Sequence, residues 1–270
     1  MGLLAGKKAV VFGVANDHSI AWAIAQALHG AGAELAFTDP AESIERRVRP
    51  LAESLGTSLV LPCDVTKDGE IAAAFASLGE RWGTVDVVIH AVAFALRDEL
   101  KGRFIETSRA GFQIALDVSA YSLVAIARHA EPLMGPGGSL LTLSYFGAEK
   151  VLPNYNAMGI AKAALEACVR YLAFDLGPQA IRVNAISAGP LRTLSSAGIT
   201  GFKAMLHHHG ERAPLRRNIT AEEVAQTALY LCSDMGSGVT GEIVHVDAGY
   251  NIVGMKHPDA PDIDITVAKE

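Results

Sequence analysis

The sequence predicts an α/β fold, a doubly wound, mostly parallel sheet of about seven strands with helices on both faces. Three observations predict it. Short apolar runs alternate with longer segments whose apolar residues recur at helical spacing. Half of the residues are hydrophobic and 26 are glycine, which suits one large core with many tight turns. A chain of this length can bury roughly 70–75% of its extended surface in one core. Residues 1–255 therefore read as a single domain, and 256–270, with two prolines and four acidic side chains, as a loose tail.

The first strand is expected at residues 7–12 and ends at Gly13. A helix follows over 20–29, closed by Gly30 and Gly32. The second strand, 33–38, leads to Asp39 and a helix over 42–55; the third, 59–62, leads to Asp64 and a helix over 68–82. A fourth strand is expected at 85–90. Residues 107–134 read as one long helix, apolar enough for a buried or oligomeric interface. The strand 139–144 comes next, then a helix capped by Asn154 and reaching about residue 174. The sixth strand is 181–186, an irregular segment runs from 191 to 214, a helix covers 221–232, and the last strand is 242–246. A connection as long as 191–214 reads as a substrate-covering lid.

Chemistry concentrates between Tyr145 and Lys162. On a helix, seven residues return to within about 20° of the start and advance about 10 Å, so Tyr155 and Lys162 share a face. That face lies at the carboxyl edge of a strand, where open α/β sheets bind ligands. A phenol is a neutral donor at pH 7. It suits an oxygen that becomes negative as a hydride arrives. The ammonium favours the same charge and can grip a ribose diol. The turn Gly13 to Ala21, with Ser19 and Ile20 opening the first helix, lies where a dinucleotide pyrophosphate meets helix N–H groups; it is not G-x-G-x-x-G, and a plain N-cap with a long turn remains the alternative. Asp39 is suited to accept bonds from an adenosine ribose and to repel a 2′-phosphate, which favours NAD over NADP. A strand-end turn at Asp39-Pro40 is the alternative there. Asp64 could bond an adenine amine or cap its own turn.

Other classes are excluded or disfavoured. A net charge of −6 leaves no nucleic-acid footprint. Cys63, Cys168 and Cys232 show no CxxC spacing and read as free thiols of a reducing compartment. No signal peptide and no membrane span are expected, which places the chain in the cytoplasm. His207, His208 and His209 are consecutive, and on a helix their side chains would point about 100° apart, so no metal is expected.

Taken together, the motifs Gly13-x5-Ser19-Ile20-Ala21, Cys63-Asp64-Val65, Leu143-Ser144-Tyr145, Pro153-Asn154-Tyr155-Asn156, Ala161-Lys162-Ala163 and Arg182 through Pro190 resemble the short-chain dehydrogenase/reductase superfamily. Within it, Tyr-x9-Tyr-x6-Lys is similar to the NADH-dependent enoyl-acyl-carrier-protein reductases of bacterial fatty-acid synthesis. The similarity spans residue 4 to about 255. It implies a Rossmann-type fold and reduction of a trans-2-enoyl thioester by NADH. It implies that Gly13, Ser19 and Ile20 hold the pyrophosphate and that Asp64 and Val65 meet the adenine. By the same resemblance Val92 lies over the nicotinamide, Lys162 binds its ribose, and Leu191, Arg192, Thr193, Leu194 and Ser195 meet the carboxamide and phosphates. Ala95 lines the substrate, Tyr155 is the principal catalytic donor and Tyr145 its neighbour. The implied partners are an acyl carrier protein and further copies of the chain, in a homotetramer.

Three positions depart from the family pattern. Thr38-Asp39-Pro40 stands where a Gln often contacts adenosine, Ala93 stands where Gly is common, and the segment in which the family tends to carry several basic residues toward the acidic carrier protein holds Lys203 and the His207–His209 run. A carbonyl reductase of the superfamily would use Tyr-x3-Lys, which this chain lacks. A silent NAD-binding regulator is the reading from another class; it would keep the phosphate loop and could lose Tyr155 or Lys162, and both are present.

Overall fold

The computed structural model describes residues 2–39, 42–193 and 201–255. Seven parallel strands form one sheet: β1 (Lys8–Phe12), β2 (Glu34–Asp39), β3 (Val60–Pro62), β4 (Val87–His90), β5 (Ser139–Ser144), β6 (Arg182–Ala188) and β7 (Ile243–Val246). Their order is β3-β2-β1-β4-β5-β6-β7. The chain winds outward from β1 to β3, then returns to place β4 on the other side of β1. That reversal opens a crevice above the carboxyl ends of β1 and β4.

The period of two along each strand divides the core. Val11, Ile89, Leu141 and Ile186 pack on one face against α1 (Ile20–Gly30), α2 (Glu42–Ser54) and α8 (Ala221–Cys232). Val10, Phe12, Val88, Leu140 and Val183 pack on the other against α3 (Asp68–Trp82), α5 (Ser122–Ala130) and α6 (Asn156–Leu176). These strands are buried on both faces, as a parallel sheet requires. Fully burying one such side chain is worth roughly 1.5–3 kcal/mol.

Four expectations change. The long helix at 107–134 is divided into α4 (Arg109–Leu116), a π-turn (Asp117–Tyr121), α5 and a final 3₁₀ turn (Glu131–Leu133). Ser108, whose hydroxyl accepts from the Gly111 N–H, opens it. By length and composition Arg109–Leu133 could cross a membrane, contrary to expectation, but 56% of that window is buried in the fold. The segment after β6 is not irregular throughout, because Phe202–Arg212 forms α7. Finally, Asn154 does not occupy the cap of α6. It adopts the left-handed region at φ 65, which Asn tolerates better than most residues, and Tyr155 takes the capping position. The expected tail, 256–270, lies outside the described residues.

Candidate active site

The first wall of the crevice is the turn after β1. Gly13 has φ 93, and a Cβ there would lie 2.3 Å from the Ala91 carbonyl oxygen. The turn therefore runs against the exit of β4 at a separation only glycine permits. Ser19 caps α1: its hydroxyl donates to the Asn16 carbonyl at 2.8 Å and accepts from the Trp22 N–H at 3.2 Å. Ile20 is the first residue of α1, where the leading N–H groups of a helix have no partner further back in it. His18 is exposed, next to Asp17.

Along the second wall, Asp39 ends β2 opposite Pro62; its side chain lies outside the described ones. Asp64 accepts from the Thr66 N–H at 3.0 Å and from its hydroxyl at 2.8 Å, which is the local turn-capping alternative. Val65 is buried beside it. Across the crevice, Leu191 packs against the first core face, Arg192 is exposed and Thr193 half-buried; Leu194 and Ser195 lie outside the described residues.

The chemical centre is a third, smaller apolar cluster. Tyr155, Met158, Ala161, Leu100 and Ala115 are buried together, and Ala95, Tyr145 and Leu152 pack against them. Ala95 thus reaches the tyrosines, whereas Val92 packs against the second core face. The Tyr145 and Tyr155 rings meet edge-on with centroids 5.1 Å apart. The Tyr145 hydroxyl lies 3.0 Å from the Met205 sulfur on α7. Gly147 clears space for Tyr155, since a Cβ there would come 2.3 Å from its ring.

Two turns along from Tyr155, buried Lys162 on α6 donates to the Leu143 carbonyl at 2.7 Å. One turn further, Glu166 accepts from the Ser144 hydroxyl at 2.5 Å. Both bonds tie α6 to the last residues of β5, immediately before Tyr145. Burial drives the Tyr155 phenol well above its ordinary range, with Tyr145 adding to the effect. Burial lowers Lys162 to about 8, against the opposing pull of Glu166. The site therefore holds neutral phenols as donors beside a lysine that still carries its proton at neutral pH.

A cavity of about 680 Å³ continues from Tyr145, lined among others by Leu152, Gly189, Met205, His209 and Tyr250. His209 and Tyr250 escaped the sequence reading as cavity residues, whereas Met205 belongs to the segment expected to cover the acyl chain. The pattern Asp247-Ala-Gly-Tyr250 directly after a last strand was the available signal, because strand exits line the crevice. The three consecutive histidines do not converge: His207 reaches Glu211 at 3.2 Å, while His208 and His209 pack on the Tyr250 ring. Cys63, Cys168 and Cys232 are free thiols.

The family model described as enoyl-(acyl carrier protein) reductase matches residues 13–251. The chain is 55% identical over 264 residues to "Enoyl-[acyl-carrier-protein] reductase [NADH] 1" of Rhizobium meliloti, covering 98% of this chain and 97% of the relative. It is similar to a solved enoyl-acyl-carrier-protein reductase of Anaplasma phagocytophilum in complex with NAD, at TM-score 0.92 and 55% identity, covering 97% of this chain and 98% of that one. A Bacillus cereus enzyme solved with NADP+ and indole naphthyridinone matches at TM-score 0.92 and 57% identity, covering 94% of this chain and all of that one.

Proposed function

The chain belongs to the enoyl-(acyl carrier protein) reductase family, and on that premise we propose how its own residues divide the reaction. It is an NADH-dependent oxidoreductase that reduces the carbon–carbon double bond of trans-2-enoyl-acyl-carrier-protein thioesters in fatty-acid elongation. The observation that carries the assignment of residues is the buried Tyr155, edge-on to the cavity-lining Tyr145 and capping the helix that carries buried Lys162.

Gly13, Ser19 and Ile20 hold the pyrophosphate where the close turn exposes the first N–H groups of α1. Asp39, Asp64 and Val65 border the adenosine; Val92 faces the nicotinamide; Leu191, Arg192, Thr193, Leu194 and Ser195 border the carboxamide and phosphates. When bound, NADH supplies the hydride that reaches the β-carbon of the enoyl chain. Tyr155 donates to the thioester oxygen and stabilises the enolate, which then takes a proton at the α-carbon. Donors fixed in a water-poor site act more strongly than in water. Tyr145 packs against Tyr155 and holds its ring. Lys162 grips the ribose and adds positive charge. Ala95 and the cavity beyond Tyr145 take the acyl chain, with α7 and the residues before it as the cover over 191–214.

The enzyme works in the cytoplasm on an acyl carrier protein and assembles as a homotetramer. Tyr121, Ile160, Tyr171 and Phe174, on the π-turn and α6, are exposed in the single chain, Phe174 by 83%, and offer the apolar face for assembly. Sedimentation would test the assembly, and hydrogen exchange across 201–210 with and without NADH plus an enoyl analogue would test the cover. A monomer, or exchange equally slow in both states, would refute the respective proposal.

A further inference from the structure

The π-turn at Asp117–Tyr121 has a consequence for the reacting centre. In an α-helix the Ser122 N–H would bond the Val118 carbonyl. Here it bonds the Asp117 carbonyl in place of the Val118 oxygen. The Ser122 hydroxyl donates to that oxygen at 2.7 Å. The same hydroxyl lies 2.8 Å from His90 Nε2. On its other side His90 Nδ1 lies 2.8 Å from the Thr142 hydroxyl, which donates to the His90 carbonyl at 3.1 Å. His90 is wholly buried, and burial followed by the nearby Lys162 charge lowers it to about 3, so the ring is neutral.

Ser119, two residues into the same π-turn and wholly buried, does the complementary work. Its hydroxyl accepts from the Phe94 N–H at 2.9 Å and lies 3.1 Å from the Phe94 carbonyl, to which it donates. The exit of β4 is therefore held by Ser122 at the start of α5 and Ser119 in the π-turn at its two ends, His90 and Phe94. Between them lie Ala91, Val92 and Ala93. Ala91 is also the residue whose carbonyl abuts Gly13.

We infer that Ser119 and Ser122 are positioning residues for hydride transfer, holding the 90–94 exit at the distance from the nicotinamide that the reaction needs. The inference rests on the proposed position of the nicotinamide at Val92. Neither serine acts on substrate or cofactor directly; Ser119 acts through the Phe94 backbone and Ser122 through the His90 side chain. Releasing Phe94 lets the exit relax, and misplacement by about 1 Å can cost on the order of a hundredfold in rate.

The test compares Ser119→Ala with Ser139→Ala. Ser139 is equally buried, and its hydroxyl bonds Leu231 across the sheet, away from the crevice. For both variants and the wild type one measures thermal midpoint, NADH affinity, turnover of a crotonyl thioester, and the isotope effect with NADH deuterated at the transferred position. Ser119→Ala is expected to lose on the order of tenfold or more in kcat and to show a larger isotope effect, as misplaced hydride transfer limits the rate. Ser139→Ala is expected to lose thermal midpoint while keeping kcat and isotope effect. If Ser119→Ala loses only thermal midpoint, as Ser139→Ala does, the positioning role is overturned. Should Ser119→Ala not fold, Ser119→Cys, close in volume but a weak hydrogen-bonding group, carries the same comparison. Wild-type turnover in the same assay reports separately on the proposed function.

Discussion

Tyr145 meets Tyr155 edge-on, with ring centroids 5.1 Å apart and planes at 75°. Edge-to-face packing of this kind adds about 0.5–1.5 kcal/mol beyond burial and fixes ring direction. The ring of Tyr155, the proposed donor, is thus held in place. Tyr155→Phe keeps the packing and removes the donor. Turnover is expected to fall by roughly 10²–10³ while NADH affinity stays within about twofold. Steady-state kinetics with fluorescence titration of NADH checks it; near-full turnover would remove Tyr155 from the donor role.

Gly147 controls the same ring from the other side. A Cβ at 147 would lie 2.3 Å from one ring carbon of Tyr155 and 2.7 Å from the next. Gly147→Ala must therefore push the ring off its position, at an overpacking cost of about 1–3 kcal/mol. The expected result is reduced kcat and reduced thermal midpoint with little change in NADH affinity. A variant with wild-type kcat would mean that ring position does not matter.

Lys162 makes the pH dependence specific. Its ordinary value is about 10.4, and burial brings it to about 8 in the fold. Below about 8 the lysine is charged in both folded and unfolded chains, and the fold bears the burial cost. Between about 8 and 10.4 the folded state loses the proton first, so that cost is relieved as pH rises. Cys63 and Cys232, raised to about 12 by burial, act in the opposite sense. The stability difference between Lys162→Met and wild type isolates the lysine, and it should shrink from pH 7 to about pH 9.5 in denaturant titrations. Over the same window wild-type NADH affinity should fall as the ammonium is lost. Affinity that is flat through this range would contradict a charged Lys162 at the ribose.

Asp39 ends β2 at the edge of the crevice. A carboxylate beside the adenosine 2′-position repels a phosphate there. The wild type is expected to prefer NADH over NADPH, and Asp39→Ser to narrow that preference more than it harms NADH use. Ratios of kcat/KM for the two cofactors test this. Equal use of both by the wild type would refute the assignment.

Much of this arrangement was legible because it is written in local patterns. The helix at Asp68–Trp82 and the strand at Ser139–Ser144 fall where periodicity places them. The spacing of Tyr155 and Lys162 was readable as two turns of helix, and in the fold Tyr155 caps the helix that carries Lys162. The π-turn was not legible: the apolar spacing of residues 109–130 suits a continuous helix, and only the partners across the fold, His90 and Phe94, explain Ser119 and Ser122. The start of α6 was misread for a related reason. Asn154 is a good cap by type, but after Pro153 it serves a left-handed turn. Helix α7 was hidden by three glycines in 198–210, since propensity cannot register Tyr250 as the surface it packs on.

The central claim is that this site reduces a carbon–carbon double bond conjugated to a thioester. The most direct measurement follows the loss of NADH absorbance with a crotonyl thioester and, separately, with a β-ketoacyl thioester. The account predicts rapid oxidation of NADH with the crotonyl thioester and none above background with the β-ketoacyl thioester. Oxidation with the β-ketoacyl thioester and not the crotonyl one would contradict it and make the chain a carbonyl reductase.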